Sequence, residues 1–145
     1  MTGVQTCALP IWMSVTSYDP KKVNVVVDGT VITGFASDSM VTAAKNEDAV
    51  STDVGCKGDV CYSENANESG TITITLQGTS SSIPKLRTLA SGRKQFSVMI
   101  SDANDYDDIN ISAQRCRVTK MPDVSRGKTP SSVSVTIFVP DLQIR

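Results

Sequence analysis

Residues 70–77 read Gly-Thr-Ile-Thr-Ile-Thr-Leu-Gln, and this unbroken alternation constrains the fold more than any other feature of the chain. Ile72, Ile74 and Leu76 fall on one face of an extended strand, with Thr71, Thr73, Thr75 and Gln77 on the other. β-Branched residues at period two describe a strand with one buried face. Val133, Val135, Ile137 and Val139 repeat the pattern, as do Phe96, Val98 and Ile100. Nearer the start, Val23–Val27 and Thr30–Phe35 flank Asp28-Gly29, a strong signal for a two-residue hairpin turn. Met40–Lys45 and Asp59–Ser63 are weaker strand candidates. In the run from Ile109 to Thr119, Ile109, Ile111 and Ala113 share one parity while Cys116 and Val118 take the other. Such a phase slip predicts a β-bulge near Gln114–Arg115.

Only one stretch has helical spacing. Ser82–Ser91 offers Ser82 as a cap, Pro84 in the first turn, Gly92 just past the end and an apolar stripe of Ile83, Leu86, Leu89 and Ala90. The expected fold class is therefore all-β with one short helix: a β-sandwich or small barrel carrying a long protruding loop. That loop, Asn46–Gly58, is polar, holds two glycines and exceeds the usual connection length, which marks it as functional or partner-binding. A second loop, Ser101–Asp108, carries four carboxylates. Asp102-Ala103-Asn104 is like the start of a calcium loop, but Asp107 stands where glycine is required, so an acidic hairpin tip accounts for it better.

Composition removes several functions. The chain has no histidine, which excludes Ser-His and Cys-His nucleophile pairs and imidazole metal ligands. A net charge of −1 gives no global basic field for nucleic acid. Gly55-Cys56-Lys57-Gly58 lacks the length and trailing Ser or Thr of a phosphate-binding loop. Cys56, Cys61 and Cys116 have no second ligand pair, so they read as small semi-buried thiols and not as a zinc site. Nothing here makes an enzyme, and no catalytic residue, cofactor or metal is expected. No apolar run approaches the roughly 20 residues of a membrane span.

The first twelve residues, Met-Thr-Gly-Val-Gln-Thr-Cys-Ala-Leu-Pro-Ile-Trp, match nothing after them. They lack the basic start of a secretory signal. They resemble the in-frame translation of a common short-read sequencing adapter. Met1–Trp12 is therefore expected to be a disordered, non-native scar, with a single domain over Met13–Arg145.

Three segments carry a family resemblance: "SYDPKKVNVVVDGTVITGF", "KNEDAVSTDVGCKGDV" and "SGTITITLQGTSSS". In order and spacing they resemble the tail-tube proteins of contractile-tailed bacteriophages. The likeness is close over 17–82 and looser through "RCRVTKMPDVSRGK" and the final strand. Asp59 stands where the family usually has Glu, and Cys56 where it often has Ala. The resemblance implies a structural virion protein, assembled in the host bacterial cytoplasm, whose hexameric rings stack into a tube that delivers DNA. Implied partners are further copies of itself, the tail sheath, baseplate and tail terminator proteins, and DNA that passes without specific binding. Candidate ring-interface residues are Asn46, Glu47, Asp48, Val50, Asp53, Val54, Gly55, Lys57 and Gly58 on the long loop. Candidate lumen residues are Thr71, Thr73, Thr75 and Gln77, whose uncharged face suits a wall that must not hold a polyanion. The alternatives are a tailocin or type VI-like tube, and a carbohydrate-binding, adhesin-like sandwich. The second is disfavoured by the few aromatics outside Met1–Trp12.

Overall fold

The computed structural model describes residues 15–104 and 109–144. The Met1–Trp12 reading and the tip of the acidic loop lie outside the described residues. Among these residues the order is β1 (Val23–Val27), β2 (Thr30–Val31), β3 (Val41–Lys45), β4 (Val50–Val54), β5 (Val60–Glu64), β6 (Gly70–Leu76), α1 (Ile83–Gly92), β7 (Phe96–Asp102), β8 (Asn110–Val118), β9 (Val133–Val139) and β10 (Gln143–Ile144).

Two antiparallel sheets share β8. The first runs β2-β1-β7-β8, with β10 on the other side of β8; the second runs β8-β9-β6-β3. The predicted bulge is what allows β8 to serve both. Between Val98 and Phe96, β7 advances two residues, while β8 advances three, from Ala113 to Cys116. The extra residue twists the strand, and Arg115 takes a left-handed φ of 57°. Both Ala113 and Cys116 consequently point inward and are buried. On the far side, the chain after β2 crosses between the sheets, and Phe35 bridges Leu76 of β6. The result is a partly closed sandwich.

The core is the inward parity of each strand. Ile72, Ile74 and Leu76 face Ile137, Val135 and Val133, and all six are buried. Val25, Ile100 and Ile111 form a matching row in the other sheet. Each such side chain contributes about 1.5–3 kcal/mol by leaving water. Helix α1 buries Ile83, Leu86 and Leu89 and packs on β8.

The Asp28-Gly29 turn has φ of 50° and 76°, as a hairpin turn with both central residues left-handed requires. The strand after it is shorter than its pattern predicts. Gly34, at φ 78°, breaks it, and Ser80 lies so close that a side chain there would collide. Helix α1 also departs from expectation at both ends. The Ser82 hydroxyl does not cap it but accepts the Thr33 amide at 3.1 Å, satisfying a donor that would otherwise be costly. Gly92 lies inside the last turn, and Arg93 takes the left-handed position at φ 49°.

The start of the acidic loop is a latch. Asn104 is 2 % exposed; its Oδ1 accepts the Asp19 amide at 3.0 Å and its own backbone N–H donates to Asp102 Oδ1 at 3.0 Å. Asp102 and Asn104 thus tie the entering chain to the end of β7.

Candidate assembly surfaces

The long segment predicted as a loop is largely a β-hairpin. Val50–Val54 pairs with Val60–Glu64, and this two-stranded sheet joins neither of the others. The alternation Val50-Thr52-Val54 was a strand signal, masked by the polar residues between. The Gly55 amide donates to Asp59 O at 2.8 Å and the Gly58 amide to Gly55 O at 2.9 Å, closing a tip in which Gly58 has φ 90°. Cys56 and Lys57 sit on that tip.

Residues directly opposite in an antiparallel pair share a face. One hairpin face therefore carries Val50 and Glu64, Thr52 and Tyr62, and Val54 and Val60. The other carries Ser51 with Ser63, and Asp53 with Cys61. The first face carries four apolar side chains beside Thr52 and Glu64, yet Val54 is 63 %, Val60 53 % and Tyr62 69 % exposed. Val60 and Tyr62 lie outside the residues singled out from sequence, although they complete the stripe that Val50 and Val54 begin.

The root of the hairpin is firmly held. Asn46 donates to Ser69 Oγ at 3.2 Å and accepts from Thr71 Oγ1 at 2.7 Å. Asn65 Nδ2 donates to Glu47 Oε2 at 2.9 Å and to Asp48 O at 3.1 Å. The Asn65 and Asn67 amides hold the Glu47 carboxyl below the usual carboxylate range. A Lys45–Glu68 ion pair flanks the same root. A hydrogen-bonded base thus carries an exposed arm.

Thr71, Thr73 and Thr75 occupy the outward face of β6 and are half-buried by their neighbours. Across the strands stand Ala44 and Thr42 of β3, and Phe138, Thr136 and Ser134 of β9. Gln77 follows the strand, exposed, its backbone N–H donating to Gly34 O at 2.8 Å. The face is rich in hydroxyls, and the Thr71–Asn46 hydrogen bond joins the two candidate sets. At its β8 border, however, Arg117 stands opposite Phe138 and adds a cation that sequence reasoning missed.

The three thiols differ. Cys56 and Cys61 are exposed, contrary to the semi-buried reading, because the hairpin has no sheet to lie on. Cys116 is fully buried, and burial pushes its thiol up to about 11. Among the described residues no three His, Cys, Asp or Glu side chains converge as metal ligands.

The family model described as the Bacteriophage PhiTE tail tube protein matches residues 23–145. The chain belongs to this tail tube family. No curated protein matches it. Solved structures with the same fold include the sheath/tube terminator of an extracellular contractile injection system, PVC, in the extended state. It has a TM-score of 0.59 and 12 % identity over 91 % of this chain and 99 % of that one. The PVC sheath-tube complex in the extended state gives 0.57 and 11 %, covering 100 % of this chain and 98 % of that one. The tube-terminating cap of the anti-feeding prophage gives 0.55 and 10 %, over 92 % and 94 %. Family membership displaces the carbohydrate-binding alternative.

Proposed function

We propose that copies of this protein close into hexameric rings that stack as the tail tube of a contractile phage, with DNA passing through the lumen. The domain that does this is Met13–Arg145, its role is structural, and it is assembled in the bacterial cytoplasm before incorporation into the virion. The carrying observation is the β4–β5 hairpin, which leaves Val54, Val60 and Tyr62 in water on a hydrogen-bonded root. Burying these side chains against a neighbour supplies the drive for assembly. Thr71, Thr73, Thr75 and Gln77 line the passage, because hydroxyl and amide groups hydrate a polyanion's path without the affinity that Lys or Arg would add. Sheath, terminator and baseplate proteins are the outer and end partners.

The similarity to an extracellular injection system's tube components favours a second reading, a tube outside a phage. Capsid and terminase genes beside this one would select the phage reading.

The test is negative-stain microscopy of Met13–Arg145. Rings or tubes with a central hole are expected, and a strictly monomeric protein at high concentration would refute the proposal. A companion variant replaces Val50–Glu64 with a two-residue glycine turn. The Asn65 backbone N–H donates to Ala49 O at 2.8 Å, so the ends already meet. It should fold and remain unassembled; tubes from this variant would remove the hairpin from the interface.

A further inference from the structure

Resting on that reading, we infer that the surface receiving the hairpin is the groove between the end of α1 and the ends of β8 and β9 on a second copy. This groove encloses about 600 Å³ and is bounded by Arg93, Arg117, Val118, Met121 and Phe138, among others. Two of its apolar side chains are exposed in the single chain, Met121 at 44 % and Phe138 at 38 %, while Val118 is half-buried against the core. Its charged side chains are both guanidinium groups. Arg117 Nη2 donates to Arg93 O at 2.8 Å, which holds that guanidinium at the rim.

The hairpin is the chemical complement of this groove. Over 46–65 it carries Glu47, Asp48, Asp53, Asp59 and Glu64 against Lys57 alone, a net charge of −4. Glu64 lies on the same face as Val54, Val60 and Tyr62, and Asp59 borders the tip. Tyr62 and the two valines cover Met121 and Phe138, while Asp59 and Glu64 meet Arg93 and Arg117. Aromatic, Met and Arg residues at the centre, with charge at the rim, compose a typical high-affinity patch.

Placement supports the same pairing. The hairpin leaves the sheet beside the row Lys45, Gly70 and Val139. Arg117 and Phe138 lie in the next row, with Thr71 and Ala44. Donor and acceptor thus sit at one end of the sheet, on its β3 and β8 sides, three strand spacings or roughly 14 Å apart. A copy displaced sideways brings its groove to this hairpin. Such head-to-tail contacts use different patches on the two copies and can close a ring. Docking also neutralises Arg117 at the border of the hydroxyl-rich face, where an unpaired cation would hold passing phosphates. Nucleic acid fits the groove less well, since a phosphodiester leaves Met121 and Phe138 exposed.

Two variants, each with one half of the contact, test this. The first, Arg93→Glu with Arg117→Glu, keeps its hairpin; the second has the hairpin excised and keeps its groove. Neither should assemble alone, and an equimolar mixture should give a discrete dimer by light scattering. Its Kd should weaken roughly tenfold between 0.05 and 0.5 M NaCl as the charges are screened. Adding Asp59→Arg and Glu64→Arg to the first variant should restore rings, which also shows that it folds. The inference is overturned if wild-type protein forms rings while the mixture stays monomeric, since the hairpin then docks elsewhere. It is equally overturned if the Arg93→Glu, Arg117→Glu protein forms normal rings and has lost binding to sheath protein or to duplex DNA. If wild-type protein forms no rings at all, the failure lies with the tube reading.

Discussion

Gly70 begins β6 at the root of the hairpin, and replacing it by alanine probes whether the C-terminal segment is packed as described. A methyl at Gly70 would overlap Leu142 Cδ2 and lie 2.8 Å from Leu142 Cβ and 2.9 Å from Ala44 O. Leu142 is fully buried and its amide donates to Glu68 O at 3.0 Å, so it has little room to withdraw. Overpacking of this kind costs about 1–3 kcal/mol. Against it stands a gain of about 0.4–1 kcal/mol from a less flexible unfolded chain, because the Gly70 φ is one that alanine accepts. The net expectation is a loss of about 1–2 kcal/mol, a fall in Tm of roughly 4–8 °C for a domain of this size. Urea unfolding at one fixed protein concentration measures it, since assembly would otherwise add to apparent stability. Leu142→Ala alone should cost about 2–5 kcal/mol through the cavity it leaves. The double variant should cost less than the sum by about 0.5–3 kcal/mol, because Cδ2 is gone although Cβ and Ala44 O remain. A Gly70→Ala protein within about 0.5 kcal/mol of wild type, or strict additivity, would refute the packing described.

At Gly29, φ 76°, alanine should cost about 1–2 kcal/mol, read as a lower urea midpoint at unchanged m; an unshifted midpoint would contradict the left-handed turn. In Met13–Arg145 at pH 8, a thiol reagent should titrate Cys56 and Cys61 quickly and Cys116 only after denaturation; a fast third equivalent would mean Cys116 is accessible. Burial raises the Cys116 thiol from 9.0 to about 11, which stabilises the fold fully below pH 9 and is lost as pH climbs to 11. That loss is roughly 3 kcal/mol. A Cys116→Val protein should show a flatter alkaline stability curve, and identical curves would dismiss the effect. Removing Met1–Trp12 should leave both Tm and ring formation unchanged, and a loss of assembly would show the segment to be part of the working protein.

Much of the fold was legible because its information is local. Alternation along Gly70–Leu76 and Val133–Val139 named the strands and their buried parity, since only side-chain direction is needed to read it. The parity slip near Gln114–Arg115 revealed the bulge for the same reason. Family membership was legible in three segments whose order and spacing survive together. Less was legible where a polar strand contacts no core. Val50–Val54 alternates, but no buried face rewards the pattern within one chain, so it reads as a loop until Val60–Glu64 is seen beside it.

The sequence by itself determined the core strands, helix α1, the absence of histidine chemistry and the family, because each depends on residue type and near-neighbour spacing. Only the tertiary structure decided which surfaces face one another. It joined Phe138 to Arg117 across β8 and β9, brought Arg93 beside them at the end of the helix, and set Val54 against Val60 in water. Arg93, Arg117 and Phe138 are distant in sequence, and no local period relates them. Their meeting follows from a bulged strand shared by two sheets, a property of the whole fold.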